Sequence, residues 1–408
     1  MNTHIFKANI ECLKGLTCPE KWPQLFNFLW DRLSKPSDLH ILKNVVQSWP
    51  NFYQDLLPFI WEQAQKQHSV SASLCQINNI VLSQQECLHI LSAGFLCLFD
   101  RDSYDWEDYP SINFERLFAS TYFFDSETPK LQMLLQYFQT SMERQHQNHS
   151  LNTNIQFSLL KHDDNLENWC HLSDPMLPLV MANLREPIEN ARDCLRVDFA
   201  NAYLGGASLS YGNVQEEIMF SLCPEMNAGR LFSKRMKEGE AILIVGPKRF
   251  SECKGYGGSL EFVGPFTPPP DEPESFTVAI DALDFRYFPP QAQYHPEAIL
   301  RELNKSYAAF SAPKTPSKIA TGNWGCGVFG GDVELKILIQ WISAARAKKE
   351  LFYHPFEQKR LYEEIPPLIK LLTSRPNTLK ISDVLSFLLS LDPEISVLSQ
   401  FKDFVHKF

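Results

Sequence analysis

Over the first 150 residues, apolar positions recur at steps of three and four. Trp22, Leu25, Phe26, Leu29, Trp30 and Leu33 therefore share one face of a helix. Ser83 with Glu86 makes a capping-box pattern ahead of Leu88, Ile90 and Leu91, and Thr128-Pro129 places an N-cap and a first-turn proline before Leu131, Leu134, Leu135 and Phe138. An aromatic stripe at this spacing is what an amphipathic helix buries in a core. The pattern predicts a helical accessory region over 1–150 that serves as a scaffold.

The period changes after the polar stretch at 141–154. Short strand-like runs at 155–160, 194–199, 241–245, 276–280, 318–321 and 351–353 alternate with helical patterns at 296–310 and 332–348. That alternation predicts an α/β core over 151–360, with helices covering a largely buried sheet. Two amphipathic segments, 361–374 and 381–391, predict a C-terminal helical extension over 361–408 packed on the core. The cluster Pro268-Pro269-Pro270-Asp271-Glu272-Pro273 reads as an exposed connector.

At 408 residues the chain exceeds one typical domain, and 44% hydrophobic with 21% charged residues is the balance of a globular protein. A net charge of −10 argues against a broad basic surface for polyanions, so no direct DNA or RNA binding is expected and an anionic ligand must be held locally. The ten cysteines form no CxxC pair and follow no evident signal peptide, which points to free thiols in a reducing, intracellular compartment, nucleus or cytoplasm. Apolar runs such as 241–245 are far too short to span a bilayer, so a soluble chain without membrane contact is expected, with a monomer as the default. His146 and His149 make an HxxH in a polar stretch, but nothing nearby completes a zinc ligand set.

The densest chemistry lies at 194–217. A strand-like run ends at Ala200, a loop rich in Gly, Ser and Asn follows to Gly212, and Glu216 and Glu217 then enter the apolar run at 218–222. Neighbours on a helix diverge by about 100°, so the two carboxylates project differently. Either one moves a proton while the other holds a substrate hydroxyl, or both are favourable charges at a helix N-terminus. Far along the chain, Thr321-Gly322-Asn323-Trp324-Gly325-Cys326-Gly327-Val328-Phe329-Gly330-Gly331-Asp332 holds five of the 17 glycines. Such a segment is a tight turn or a cradle of amides for phosphate oxygens at a helix N-terminus. No GK[ST] follows, which excludes a Walker loop.

Taken together, Val197-Asp198-Phe199-Ala200-Asn201, the pair Gly205-Gly206, Gln215-Glu216-Glu217 and the remote 322–332 segment resemble the poly(ADP-ribose) glycohydrolases, whose catalytic module is an elaborated macrodomain; the resemblance implies that the 151–360 core is a macrodomain-like mixed sheet flanked by helices. The resemblance covers much of 180–356, and Ala207 stands where the family has a third consecutive glycine. It implies hydrolysis of the ribose–ribose O-glycosidic bonds of poly(ADP-ribose), with release of ADP-ribose and no metal or other cofactor. It implies poly(ADP-ribosyl)ated proteins as partners and a place in poly(ADP-ribose) turnover after DNA damage. On the same basis Glu217 matches the family's acid/base, Glu216 its substrate-positioning partner and Asp198 the aspartate of its strand motif. Asn201, Gly205, Gly206 and Gln215 match ligand contacts, Ile188-Glu189 the pair that recognises adenine, and Tyr256 the aromatic cover over adenine. The run Asn323 to Phe329 matches the diphosphate and ribose loop, and Phe356 a second aromatic wall. From the residues alone, a hairpin tyrosine and core packing stay open for Tyr256 and Phe356. Two other outcomes would use the same contacts: a macrodomain reader that binds ADP-ribose intact, and a hydrolase of mono-ADP-ribosylated protein.

Overall fold

A computed structural model describes residues 9–33, 38–66, 79–99, 109–119, 127–148, 151, 153–374 and 378–408. The elements begin with α1 (Trp22–Trp30), α2 (His40–Ser48), α3 (Leu57–Gln65), β1 (Ile80–Ser83), α4 (Gln84–Phe95), α5 (Glu127–His146) and β2 (Asn154–Lys161). They continue through α6 (Leu166–Cys170), β3 (Leu179–Met181), β4 (Leu195–Ala200), α7 (Gln215–Leu222), β5 (Glu240–Val245), β6 (Ser251–Lys254) and β7 (Glu261–Pro265). The last are β8 (Phe276–Asp281), α8 (Pro296–Phe310), β9 (Lys318–Gly322), α9 (Val333–Arg346), β10 (Glu350–His354), α10 (Lys359–Thr373), α11 (Ile381–Leu389) and α12 (Val397–Lys407).

The chain condenses into two compact units. The first comprises Met1–Ser158, Ala202–Arg235 and Ile244–Glu272; the second comprises Leu159–Asn201, Met236–Leu243 and Pro273–Phe408.

In the first unit the expected capping box is present: Ser83 Oγ accepts the Glu86 N–H (3.2 Å) and Glu86 Oε2 accepts the Ser83 N–H (2.7 Å). Two expected boundaries shift. Helix α5 begins at Glu127, so Thr128 lies inside the first turn instead of capping it, and α1 stops at Trp30, short of Leu33. Strand β1 interrupts the helical region; four residues are too few to show a strand period, and it pairs antiparallel with β2, Ile80 opposite Phe157. The core is aromatic, with the Phe95 ring 5.3–6.5 Å from those of Phe52, Phe114, Phe118 and Phe138. Helix α5 packs against α2 and α7 and against the β6–β7 hairpin. In the proline cluster Pro268, Pro270, Asp271 and Glu272 are exposed and Pro269 and Pro273 half-buried, and this unit ends within it at Glu272.

In the second unit β8, β4, β9, β10 and β3 lie side by side in that order, all parallel. The register sets Asp198 beside Ala279 and His354 beside Gly322. Helices α8 and α9 pack together, α8 on β8 and α9 on β10, while α10 lies on β3 and α11 and α12 lie on α9. Parallel and antiparallel ladders therefore both occur with helices packed against them, which is the α/β class the alternation predicted and the mixed sheet the resemblance implied. All six expected strand runs form strands within a residue or so. Strand β3 matches no expected strand run, three residues being too few to show a period, while α12 falls within the stretch expected to be helical.

Because its strands are parallel, the C-terminal ends of β4, β9 and β10 share one edge of this sheet. Open α/β sheets bind ligands beyond that edge. Asn201, the 323–329 loop and Phe356 all follow those ends.

No disulfide joins the described cysteines, and Cys75 lies outside the described residues, as does His149. Among the described residues no helix is long and apolar enough to cross a membrane.

Candidate active site

The first unit carries the glutamates. Helix α7 opens at Gln215, so Glu216 and Glu217 both stand in its first turn, and both are buried. They do have different partners. Glu216 Oε1 accepts the Gly205 N–H at 2.7 Å. Glu217 Oε1 accepts the Ala207 N–H and Oε2 the Val214 N–H, each at 3.0 Å. The second of these bonds caps α7 in the manner of a capping-box glutamate. The first ties the helix to the glycine loop.

That loop needs its glycines for two separate reasons. Gly205 and Gly206 sit at φ +78° and +43°, in the left-handed region. A Cβ at Gly206 would also stand 2.5 Å from Glu216 Oε2 and 2.8 Å from Glu217 Oε1. Ala207 has no positive φ, so its backbone does not call for glycine. Its methyl faces Gly212, where an added Cβ would come within 2.6 Å of it.

Tyr256 belongs to the same neighbourhood. It lies in the turn of the β6–β7 hairpin and is 39% exposed. Asn213, one residue before the N-cap of α7, holds that turn on both sides: its carbonyl accepts the Gly257 N–H (3.0 Å) and its Nδ2 donates to the Gly257 carbonyl (2.9 Å). Asn213 carried no sequence signal, because its partner is 44 residues away.

In the second unit Asp198 is fully buried in β4, and Asn201 follows the strand end. Ile188 and Glu189 form a short 3-10 turn against β4 and β9, with Ile188 buried and the Glu189 carbonyl accepting Arg196 Nη1 (3.3 Å). Asn323 ties two strand ends together, its Nδ2 donating to the Pro355 carbonyl (3.0 Å) and its Oδ1 accepting the Tyr353 hydroxyl (2.8 Å). Phe356, just beyond, is 43% exposed at φ +39°, so core packing does not describe it.

The glycine-rich loop is held from below. Trp324 is buried and its Nε1 donates to the Ile280 carbonyl (2.9 Å), so this side chain anchors the loop to the sheet. Lys336, on α9, places Nζ 4.2 Å from the Trp324 ring centroid and 3.0 Å from Glu302. Gly325 is tight, since a Cβ there would meet Ala282 Cβ at 2.4 Å, whereas Gly327 is open. Burial pushes the Cys326 thiol up to about 12, and Sγ donates to the Trp324 carbonyl (3.3 Å). Within the described residues, the amides of Gly325, Gly327, Val328 and Phe329 make no hydrogen bond. The α9 terminus is a different matter: Asp332 Oδ1 already accepts the Glu334 and Leu335 N–H groups (2.7 and 3.0 Å). Any anion held here rests on loop amides rather than on the helix end.

Among the described residues no three His, Cys, Asp or Glu side chains are close enough to share a metal ion.

These elements define a macro-domain module joined to a helical domain. Residues 166–363 match the family model described as poly(ADP-ribose) glycohydrolase, macro domain fold, and residues 47–157 match the one described as its helical domain. The chain belongs to the poly(ADP-ribose) glycohydrolase family. It is 30% identical over 335 residues to a probable poly(ADP-ribose) glycohydrolase 2 of Arabidopsis thaliana, covering 68% of this chain and 63% of that one. Poly(ADP-ribose) glycohydrolase 1 of the same plant is 31% identical over 369 residues, covering 69% and 64%. Poly(ADP-ribose) glycohydrolase 1 of Caenorhabditis elegans is 36% identical over 244 residues, covering 55% and 31%. The chain thus spans a little under two thirds of the plant relatives' length and about a third of the nematode one.

Proposed function

We propose that this chain hydrolyses the ribose–ribose O-glycosidic bonds of poly(ADP-ribose) and releases ADP-ribose, with Glu217 as general acid/base. The observation that carries this is the two-point hold on Glu217, one oxygen on the Ala207 amide of the glycine loop and the other on the Val214 amide at the head of α7. A carboxyl fixed at both oxygens keeps its orientation, and proton transfer in a transition state depends on orientation first. Family membership supplies the substrate class.

In the reaction, the C–O bond between the anomeric carbon and the departing ribose oxygen breaks through an oxocarbenium-like state. Glu217 gives its proton to that oxygen, then takes one from the water that attacks the anomeric carbon, so it ends as it began. Glu216, fixed by the Gly205 amide, positions ribose hydroxyls, Asp198 holds its loop or ribose hydroxyls, and Asn201 contacts the ligand. Amides of Gly325, Gly327, Val328 and Phe329 orient the diphosphate, Ile188 and Glu189 select adenine, and Tyr256 and Phe356 stack on the ligand. Proton movement and amide electrostatics suffice for such a step without a metal. Poly(ADP-ribosyl)ated proteins inside the cell are the partners, and the chain acts as a monomer.

The test incubates purified protein with poly(ADP-ribose) and compares wild type with Glu217→Gln. Wild type releases ADP-ribose, while the variant loses at least about 10²-fold in rate and keeps its affinity for ADP-ribose. ADP-ribose binding without release by wild type would make the chain a reader, and release only from mono-ADP-ribosylated protein would reassign the substrate.

A further inference from the structure

Two cationic side chains lie buried beneath the 204–212 loop, and neither figures in the reaction just described. Arg230 is 5% exposed; its Nη1 donates to the carbonyls of Leu204 (3.1 Å) and Gly206 (3.2 Å) and to Ser208 Oγ (3.2 Å), and its Nε donates to the Ser111 carbonyl (2.9 Å). Lys130, on α5, is fully buried; its Nζ donates to the carbonyls of Ala207 (3.3 Å), Ser210 and Gly212. Burying a cation is costly unless it is well paired, so two of them under one loop call for a reason.

Peptide planarity supplies it. In a trans peptide the C=O and N–H point in opposite directions. The Leu204 carbonyl that Arg230 holds shares its peptide with the Gly205 N–H that Glu216 accepts, and the Gly206 carbonyl shares its peptide with the Ala207 N–H that Glu217 accepts. Each glutamate is therefore joined to one guanidinium through a single rigid peptide. Gly205 must be glycine on this account as well, since a Cβ there would stand 2.6 Å from Arg230 Nη1.

We propose that Arg230 is a positioning residue for hydrolysis, gripping the two peptides that orient Glu216 and Glu217, and that Lys130 braces the adjoining stretch of the loop from the helical region. The groups facing these cations fit that role. Burial lowers Arg230 to about 10 against the opposing pull of Glu216 and Glu217, and lowers Lys130 to about 8 against Glu217 and Glu127, with Arg230 adding to the fall. The proposal rests on the hydrolase reading for its kinetic consequence, but its structural half is separately measurable. The helical region thereby contributes to the site, because α5 delivers Lys130 to the loop.

Amide hydrogen exchange in wild type is the first measurement. Gly205 and Ala207 should be protected to within about tenfold of the slowest α5 amides. Rapid exchange there would overturn the proposal before any variant is made. Arg230→Lys keeps the charge but not the fork that serves two carbonyls at once. It should speed exchange at Gly205 and Ala207 by tenfold or more (about 1.4 kcal/mol), leave α9 amides unchanged, and lower single-turnover hydrolysis by about 30- to 100-fold with ADP-ribose affinity within about threefold. Lys130→Met should act in the same direction and Lys130→Arg should recover most of the rate. Wild-type rate and protection in Arg230→Lys would refute the assignment. Exchange that quickens throughout Arg230→Lys would mark a folding residue, unless Lys130→Met shows the loop-confined effect. Should wild type release no ADP-ribose while the exchange pattern holds, the hydrolase reading falls and the clamp stands.

Discussion

Gly206→Ala offers the sharpest check on the glutamate geometry. The backbone there is at φ +43°, and the new methyl carbon would sit 2.5 Å from Glu216 Oε2 and 2.8 Å from Glu217 Oε1. Ordinary contact begins near 3.4 Å, so one carboxylate oxygen must retreat by about 0.9 Å and the other by about 0.6 Å. A retreat of that size stretches the Ala207 N–H bond to Glu217, which is 3.0 Å in the undisturbed site. Misplacing a reacting group by about 1 Å costs on the order of 10²-fold, or about 2.7 kcal/mol of barrier. The left-handed backbone adds about 1–2 kcal/mol of lost stability. Gly15→Ala separates the two effects, because Gly15 sits at φ +78° with nothing within 4 Å of an added Cβ. Single-turnover release of ADP-ribose and thermal melting should be measured for both. Both variants should melt lower by a similar amount, and only Gly206→Ala should lose about 10²-fold in rate. Turnover by folded Gly206→Ala within about threefold of wild type would refute the claim that this glycine sets the carboxylates.

Tyr256→Ala should weaken ADP-ribose binding by about 1–3 kcal/mol, the usual value of a base stacked on an aromatic ring, and calorimetry showing no loss would place adenine elsewhere. Glu225 should make stability pH-dependent. It is buried, with Oε1 accepting Gln84 Nε2 and Oε2 accepting the Lys248 N–H, each at 2.8 Å, and burial pushes its carboxyl up to about 7. A folded value above the unfolded one means its stabilisation is complete below about pH 4.5 and is lost as pH rises through about 7. Glu225→Gln should therefore gain on wild type across that window, by on the order of 3 kcal/mol, and parallel melting curves from pH 5 to 8 would contradict this.

Much of this protein was legible in one dimension because its strongest signals are local. The capping box at Ser83 and Glu86 closes within one helical turn, and helix α8 begins and ends where the apolar period does. The QEE run and the glycine-rich loop are contiguous motifs whose chemistry survives without coordinates. The signals that failed were short or cooperative. The sequence of β1, Ile-Val-Leu-Ser, does not alternate although its burial does, and Thr128 matches a capping pattern that a helix beginning at Glu127 leaves unused. Trp324 sat within a ligand motif, yet its indole is an anchor in the sheet, a fact set by the Ile280 carbonyl 44 residues away.

Residue order is enough to say that a strand delivers Asp198, that a glycine loop precedes paired glutamates on a helix start, and that a second glycine loop precedes another helix. Those facts depend on neighbours along the chain. Which amide each glutamate takes, that Asn213 holds the Tyr256 turn, and that Asp332 caps the α9 terminus emerge only on folding. Folding also brings Lys130 and Arg230 under the loop, 77 residues before Ala207 and 26 after Leu204. A buried cation is chosen by the carbonyls that surround it, and carbonyls leave no mark on sequence, because every residue has one.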